Sequence, residues 1–497
     1  MPIRHYATLH DYVQANRCVT DEYDDVPLEL IEGNLPADLI GTLYRNGNGR
    51  FQHQRVWYDH LFDGDGMIAK FSFDGQSVRY RNRYVRTAEF VAEEQAGRML
   101  YRSFGTNLPG GFLKNALKMQ FKNTANTSVI LHGGHMLALW EGGWPHRINP
   151  DTLETIDRYD YDGVLRNQFS WLDSRITPEM PFSAHPKLHP KTGVLHNFGT
   201  VAGTKQRLVL YEVDPQGKAR IAQAIDMADM TFAHDFVLTE SGHQVFFLTP
   251  VAFDMPRALA GITSPAASIR VNRANPTLVL VVDPVGTIHR LTTDFCFVFH
   301  FVNGYLDPTN PSMLIVDGLM LGDYPESAAM KAYLAGNLPD DQPSSRFVRY
   351  RIDLARQTVT HEPLAYYEGE LPEIHPDRVG RPYRYTWSIG RPLTHTMPLF
   401  DHIVKIDVQT GEGKHRGDPE TLPSEPIVVP KPGSTAEDDA WLVYLRFHAP
   451  SQTTDLLVAD AVDLQTVARL RLPHNIPLGF HGLWLPERVK TAVPTLT

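Results

Sequence analysis

Leu210-Tyr-Glu-Val-Asp214-Pro-Gln-Gly217 decides how this chain folds. An apolar run rich in β-branched and aromatic residues ends on an aspartate. That carboxylate can accept backbone N–H groups two residues on and so close a turn. A second strand after the turn completes a hairpin. The same pattern appears earlier as Lys70-Phe-Ser-Phe-Asp74-Gly-Gln-Ser-Val and Arg147-Ile-Asn-Pro-Asp151-Thr-Leu-Glu-Thr-Ile. It returns as Leu280-Val-Val-Asp283-Pro-Val-Gly, Tyr350-Arg-Ile-Asp353-Leu-Ala-Arg-Gln-Thr-Val, Val404-Lys-Ile-Asp407-Val-Gln-Thr-Gly and Ala461-Val-Asp463-Leu-Gln-Thr-Val. The turn aspartates lie 54 to 77 residues apart, which leaves room in each unit for two further strands. The expectation is an all-β chain, a seven-bladed β-propeller. Unrelated hairpins in two sandwiches are the alternative.

Working outward, 37 prolines and 36 glycines are spread throughout, and long helical periods are scarce. Length alone would suggest roughly two to four domains, with large all-β domains the exception. We expect a single domain over residues 1–497. Two stretches break the hairpin pattern and read as a small helical or loop cap over one face of the disc, at about 108–122 and 253–270. In the first, Phe112, Leu113, Ala116 and Leu117 make one apolar helical face, with Lys114, Lys118 and Lys122 recurring beside it.

Composition excludes several classes. A net charge of −10 argues against a nucleic-acid binder working through phosphate contacts. Two distant cysteines, Cys18 and Cys296, fit a reducing compartment without a disulfide framework. No apolar window reaches membrane-spanning length, and residues 1–18 carry no signal-peptide stretch. The expected location is cytoplasmic. Asn46-Gly-Asn-Gly49 reads as a turn, not a dinucleotide fingerprint, and Asp63-Gly-Asp-Gly66 fails the calcium-loop pattern at Asp74.

Four histidines stand in similar settings: Phe182-Ser-Ala-His185, Phe232-Ala-His234, Phe299-His300-Phe301 and Phe480-His481-Gly482. They are 49, 66 and 181 residues apart. Each is wrapped in aromatic or small residues, as at the buried start of a strand. One such histidine alone is an ordinary core residue. Four of them, on the inner strands of a propeller, could meet on its axis.

These motifs carry a resemblance. Arg45-Asn-Gly-Asn-Gly-Arg50, Phe62-Asp-Gly-Asp-Gly-Met67, Ala125-Asn-Thr127, Trp140-Glu141, Ala184-His-Pro-Lys187, His234-Asp-Phe236, Phe299-His-Phe301, Glu425-Pro-Ile-Val-Val-Pro-Lys-Pro432 and Phe480-His-Gly482 occur in the order seen in the carotenoid cleavage oxygenases. The chain resembles that family from about residue 25 onward, and its bacterial and cyanobacterial apocarotenoid 15,15′-oxygenases most. The resemblance implies one Fe(2+) per chain held by His185, His234, His300 and His481, with O2 as co-substrate. It implies that Glu141, Glu370 and Glu425 orient His234, His300 and His481, leaving His185 without a carboxylate. Thr127 and Trp140 would lie near the metal, Thr127 shielding one position with its methyl. Phe62 and Phe104 are candidate tunnel aromatics.

The implied reaction is insertion of O2 across a double bond of an apocarotenoid, centrally to give retinal, with two aldehyde products. Four imidazoles do not by themselves select iron over zinc or copper. A stilbene-cleaving enzyme on the same fold is the runner-up, expected to hold its phenol with a tyrosine and a lysine near the metal. A propeller that only binds a carotenoid or a protein partner is the third reading. Residues 108–122 are expected to lie in a membrane interface and mark the tunnel mouth.

Overall fold

Val78-Arg-Tyr-Arg-Asn-Arg-Tyr84 buries every second side chain, the period-two signature of a strand with one face on a core. The computed structural model describes residues 6–486 apart from 54–55, 119, 229–230, 325–326, 338–343 and 395–398. Among these residues the chain is mostly antiparallel strand, in six sheets of four or more strands and one two-stranded ribbon. The expected all-β class holds.

Every turn aspartate sits in an outer hairpin. Asp214 Oδ1 accepts the backbone N–H groups of Gln216 at 3.0 Å and Lys218 at 2.9 Å. Asp283 does the same for Val285 and Thr287. Asp74, Asp353, Asp407 and Asp463 each accept the N–H two residues on. Asp151 is the exception. There Asn149 Oδ1 accepts from Asp151 and Thr152, because the turn starts two residues earlier. Two of the turns, at Asp353 and Asp407, share one seven-stranded sheet. Its long strand Thr358–Ile374 pairs with Ser345–Asp353 through its first half and with Tyr385–Pro392 through its second.

Successive sheets pack face to face. Leu137 and Leu139 meet Leu195, Val209 and Tyr211 in one cluster. Phe198 and Leu210 meet Phe246, Leu248 and Leu280 in the next. The last sheet returns to the first, where Val443, Leu456 and Val458 pack on Leu43, Phe71 and Tyr80. Full burial of a Phe71-sized side chain contributes roughly 1.5–3 kcal/mol. The chain ends tie this contact. Glu29–Gly33 adds to Thr466–Arg471, and Gly482–Leu485 adds to Ile40–Arg50.

The Asn46-Gly-Asn-Gly49 stretch is not a turn. It lies inside the strand Ile40–Arg50. A Cβ at position 47 would stand 2.3 Å from Gly479 Cα, so glycine is needed there for close strand approach.

The two insertions form a cap, but with little helix. Among the described residues of 108–122 only Phe112–Asn115 is helical, and Leu117 at φ 58° breaks the run. The second insertion holds Met255–Leu259 and Pro265–Ser268. Leu117 N–H donates to Leu259 O at 2.9 Å. Buried Arg102 stitches both insertions together through the carbonyls of Asn115, Lys118, Ala258 and Thr263. Lys122 departs from the expected lysine stripe. It is wholly buried, paired with Glu93 at 2.6 Å and with Asp65, and donates to Tyr58 Oη at 2.7 Å. Glu93 lies on Ala88–Ala96, a helix capped by Thr87 and closed by Gly97 at φ 61°. Sequence patterning missed that helix among the strands.

Candidate metal centre

His185 and His234 lie in the short connections just before Lys187–Leu188 and Val237–Leu238, and His481 just before Gly482–Leu485. His300 lies within Phe297–Leu306, where the pairing with Met313–Leu321 slips between Val298 and Phe301. That slip is where a strand can re-aim a side chain. Four segments far apart in sequence thus deliver four imidazoles to one place. Ligand nitrogens of His185, His234 and His300 lie within 4.8 Å of one another. The His481 ring is 4.7 Å from His185 and 5.0 Å from His300, centre to centre.

Each of three histidines meets a carboxylate through Nδ1. Glu141 Oε2 is 2.6 Å from His234, Glu370 Oε2 is 2.6 Å from His300, and Glu425 Oε1 is 2.7 Å from His481. A carboxylate only accepts, so each Nδ1 carries the hydrogen and the neutral ring's lone pair sits on Nε2. Glu425 is itself pinned by buried Arg45, whose Nη1 donates to its other oxygen at 2.8 Å, and by Gly482 N–H. His185 has no carboxylate in hydrogen-bond reach; Asp235 Oδ1 is 3.9 Å away and is held by Lys187 at 2.7 Å.

Burial pushes the His185 ring far below its ordinary pKa, helped by the other three rings and Lys187. Burial also lowers His481, against the pull of Glu425. For His234 burial acts downward too, but the charge and hydrogen bond of Glu141 prevail and hold it above the usual value. His185 Nε2 and His234 Nε2 are 2.9 Å apart. Two imidazole lone pairs at that distance repel unless a proton or a cation lies between them. His300 Nε2 is buried without a hydrogen-bond partner among the described residues. That unpartnered nitrogen and the close approach of His185 and His234, all imidazole donors, fit a divalent first-row metal.

His234, His300 and His481 open onto a cavity of about 1130 Å³, with His185 behind them. Thr127, Trp140, Phe62 and Phe104 all line it. Thr127 Oγ1 donates to Asn126 Oδ1 at 3.1 Å, which leaves its methyl as the free end. Its carbonyl accepts from His481 N–H at 3.1 Å, tying that histidine to the same wall. Phe299 and Phe480, which flank two of the histidines in sequence, join Phe62 in edge-to-face contacts of 6.1 and 5.7 Å. The cavity reaches Gln120 and Phe121 of the first insertion but not Phe112, Leu113 or Leu117. Its outer rim includes Arg175, Ile176 and Glu179, so the mouth expected near Phe112 is not found there. Arg45, Phe299 and Phe480 carried no assigned role from sequence, although all three stand inside the motifs quoted above.

The comparisons agree with this geometry. The family model described as retinal pigment epithelial membrane protein matches residues 16–486. Apocarotenoid-15,15′-oxygenase of Synechocystis is 33% identical over 95% of this chain and 96% of its own length. Lignostilbene-α,β-dioxygenase isozyme III of Sphingomonas paucimobilis is 26% identical over 93% of this chain and 94% of its own. The crystal structure of cobalt-substituted Synechocystis ACO superposes with a TM-score of 0.88 at 32% identity, covering 97% of this chain and 99% of that one.

Proposed function

This chain belongs to the retinal pigment epithelial membrane protein family, the carotenoid cleavage oxygenases, and from that premise we propose that it is a non-haem Fe(II) dioxygenase cleaving an apocarotenoid at its central 15,15′ double bond to give retinal. The observation that carries the reading is the meeting of four imidazoles, three steadied by glutamates, beside a large cavity with aromatic walls. We read the cyclic run of sheets as seven blades, the seven-stranded sheet counting as two, and residues 1–497 as one domain.

His185, His234, His300 and His481 would hold one iron. Bound there, Fe(II) supplies the activation of O2, chemistry no side chain in the site can provide. The residues of the chain bind, orient and exclude. Glu141, Glu370 and Glu425 fix the tautomers and ring planes of three histidines. The Thr127 methyl shields one side of the centre. Phe62, Phe104, Trp140 and Phe299 wall the polyene and keep water away, and their ring faces suit a transient positive charge on it. A polyene has no polar handle along its length, so register in the cavity sets the bond cleaved, and such positioning lowers the barrier by several kcal/mol in favourable cases.

Lignostilbene-α,β-dioxygenase, a stilbene enzyme by name, is a relative. The wall here supports the polyene reading instead. Among the described residues Tyr12, Tyr324 and Tyr333 line the cavity but no lysine does, so the tyrosine–lysine pair expected of a stilbene site is incomplete, while Trp140 and several phenylalanines share the lining.

The exposed side chains of Phe112, Leu113 and Leu117 at the cap support reversible contact with a membrane surface, the source of a lipid-borne substrate. Among the described residues no helix is long and apolar enough to cross one. We place the protein in the cytoplasm, without a nucleic-acid partner.

The test is cleavage of an apocarotenal under 18O2 with rapid reduction of the aldehydes. One labelled oxygen is expected in each product. Label in a single product would rule out the dioxygenase, and cleavage of a stilbene but no apocarotenal would replace the substrate.

A further inference from the structure

The cavity is not apolar throughout. Its lining also holds a polar group, Ser344, Glu368, Arg391 and Tyr333, next to Ser345, Ile389 and Glu370, the partner of His300. Glu368 and Arg391 are cross-strand partners, with Glu370 opposite Ile389 two residues along. Strand alternation places Glu368 on the same face as Glu370, about 7 Å from it along the strand. The polar group therefore stands at a set distance from Glu370, on two paired strands.

Its hydrogen bonding is one-sided. Arg391 Nε donates to Glu368 Oε2 at 2.6 Å, Nη2 pairs with the same oxygen, and Ser344 Oγ donates to Oε1. Both carboxylate oxygens are thereby engaged. Arg391 Nη1 is buried and has no hydrogen-bond partner among the described residues. A buried charged donor left unpaired is costly, so this place calls for an acceptor from the occupant. Because Glu368 already balances the guanidinium, a charged terminus is not required.

We propose that Arg391 Nη1 binds an uncharged carbonyl oxygen at one end of the polyene, and that the Arg391–Glu368–Ser344 cluster is the stop that sets which double bond lies against the histidines. This rests on the apocarotenoid reading above. An aldehyde is a pure acceptor and satisfies Nη1. An alcohol brings a hydrogen for which the engaged carboxylate offers a poor partner. A hydrocarbon end leaves Nη1 unmet.

The experiment uses polyenes of one length ending in an aldehyde, an alcohol or a methyl group. Two quantities are measured: kcat/KM with iron-loaded protein, and affinity with metal-free protein through quenching of tryptophan fluorescence. The aldehyde should be favoured over the methyl end at least about tenfold in both. Arg391→Met with Glu368→Gln removes both charges together, so neither is left buried alone. In that double variant the ratio should fall toward one and cleavage should spread to neighbouring double bonds. Equal treatment of aldehyde and methyl ends by the wild-type protein overturns the proposal, whatever the stability of the variant. So does an unchanged ratio in the folded double variant. Binding preference without any cleavage would support the Arg391 contact and overturn the substrate reading instead.

Discussion

At the scale of the residue, the centre separates ligands from the groups that steady them. His481 and Glu425 make the contrast, since they touch at 2.7 Å and belong to one hydrogen-bonded line that ends on Arg45. Replacing His481 with alanine removes a donor nitrogen and should abolish both iron binding and turnover. Glu425→Gln keeps the shape and weakens only the orientation, so the loss should be about 10–100-fold in affinity or activity. Metal analysis of the purified variants beside turnover checks both. A His481→Ala protein with full iron, or a Glu425→Gln protein with wild-type affinity and rate, would contradict the assignment.

The helix Ala88–Ala96, tied to the first insertion through Lys122, shows what an element owes to one buried charge. Glu93 is fully buried, and its neighbours Lys122 and His53 decide its state. Burial pushes its carboxyl up, but the hydrogen bonds and charge of His53 and Lys122 prevail and bring it down to about 2. A carboxyl depressed in the fold adds stability that is present above its unfolded pKa and lost as pH falls toward 2. Lys122→Met removes the buried lysine that Glu93 and Asp65 share, leaving Glu93 only His53 and Asp65 only Arg50 nearby, a change that costs up to about 3–5 kcal/mol. We expect a clearly lower unfolding midpoint at neutral pH, earlier proteolytic cutting around 88–96, and partial recovery on acidification. A Lys122→Met protein as stable as wild type at pH 7 would show that the cluster does not hold the cap.

For the whole molecule, the proposed membrane contact rests on the cap surface. Phe112 is 57% exposed, and Leu113 and Leu117 are each 80% exposed. Moving each into a bilayer interface would contribute roughly 1.5–3 kcal/mol, and Lys114 and Lys118 about 1 kcal/mol each on an anionic surface. That is enough for reversible docking. The double variant Phe112→Asp with Leu117→Asp should no longer float with anionic liposomes, yet should cleave a detergent-dispersed substrate. Flotation equal to wild type would remove the membrane role.

Local chemistry was legible before folding. An Asp-closed turn follows from a carboxylate and two nearby amides, so the hairpins at Asp74, Asp214, Asp283, Asp353, Asp407 and Asp463 could be read from short windows. The failures were equally local in cause. At Asp151 a competing Asn149 took the turn amides. In the first insertion glycines and Leu117 cut short a helix whose apolar spacing looked longer. The glycines of 46–49 serve close packing, Gly47 on the backbone of Gly479 and Gly49 on Tyr84 and Met67, and not a turn. Long-range facts had no such short signal. Lys122 repeated every four residues with two other lysines, and only the packed cap shows that it faces Glu93 and Asp65. The four histidines and their glutamates were named through resemblance, since nothing in their spacing says that they meet. Their convergence, the pinning of Glu425 by Arg45 and the unmet nitrogen of Arg391 depend on which sheet lies beside which. That adjacency is decided by burial of whole sheet faces, a property of the assembled chain and not of any segment in it.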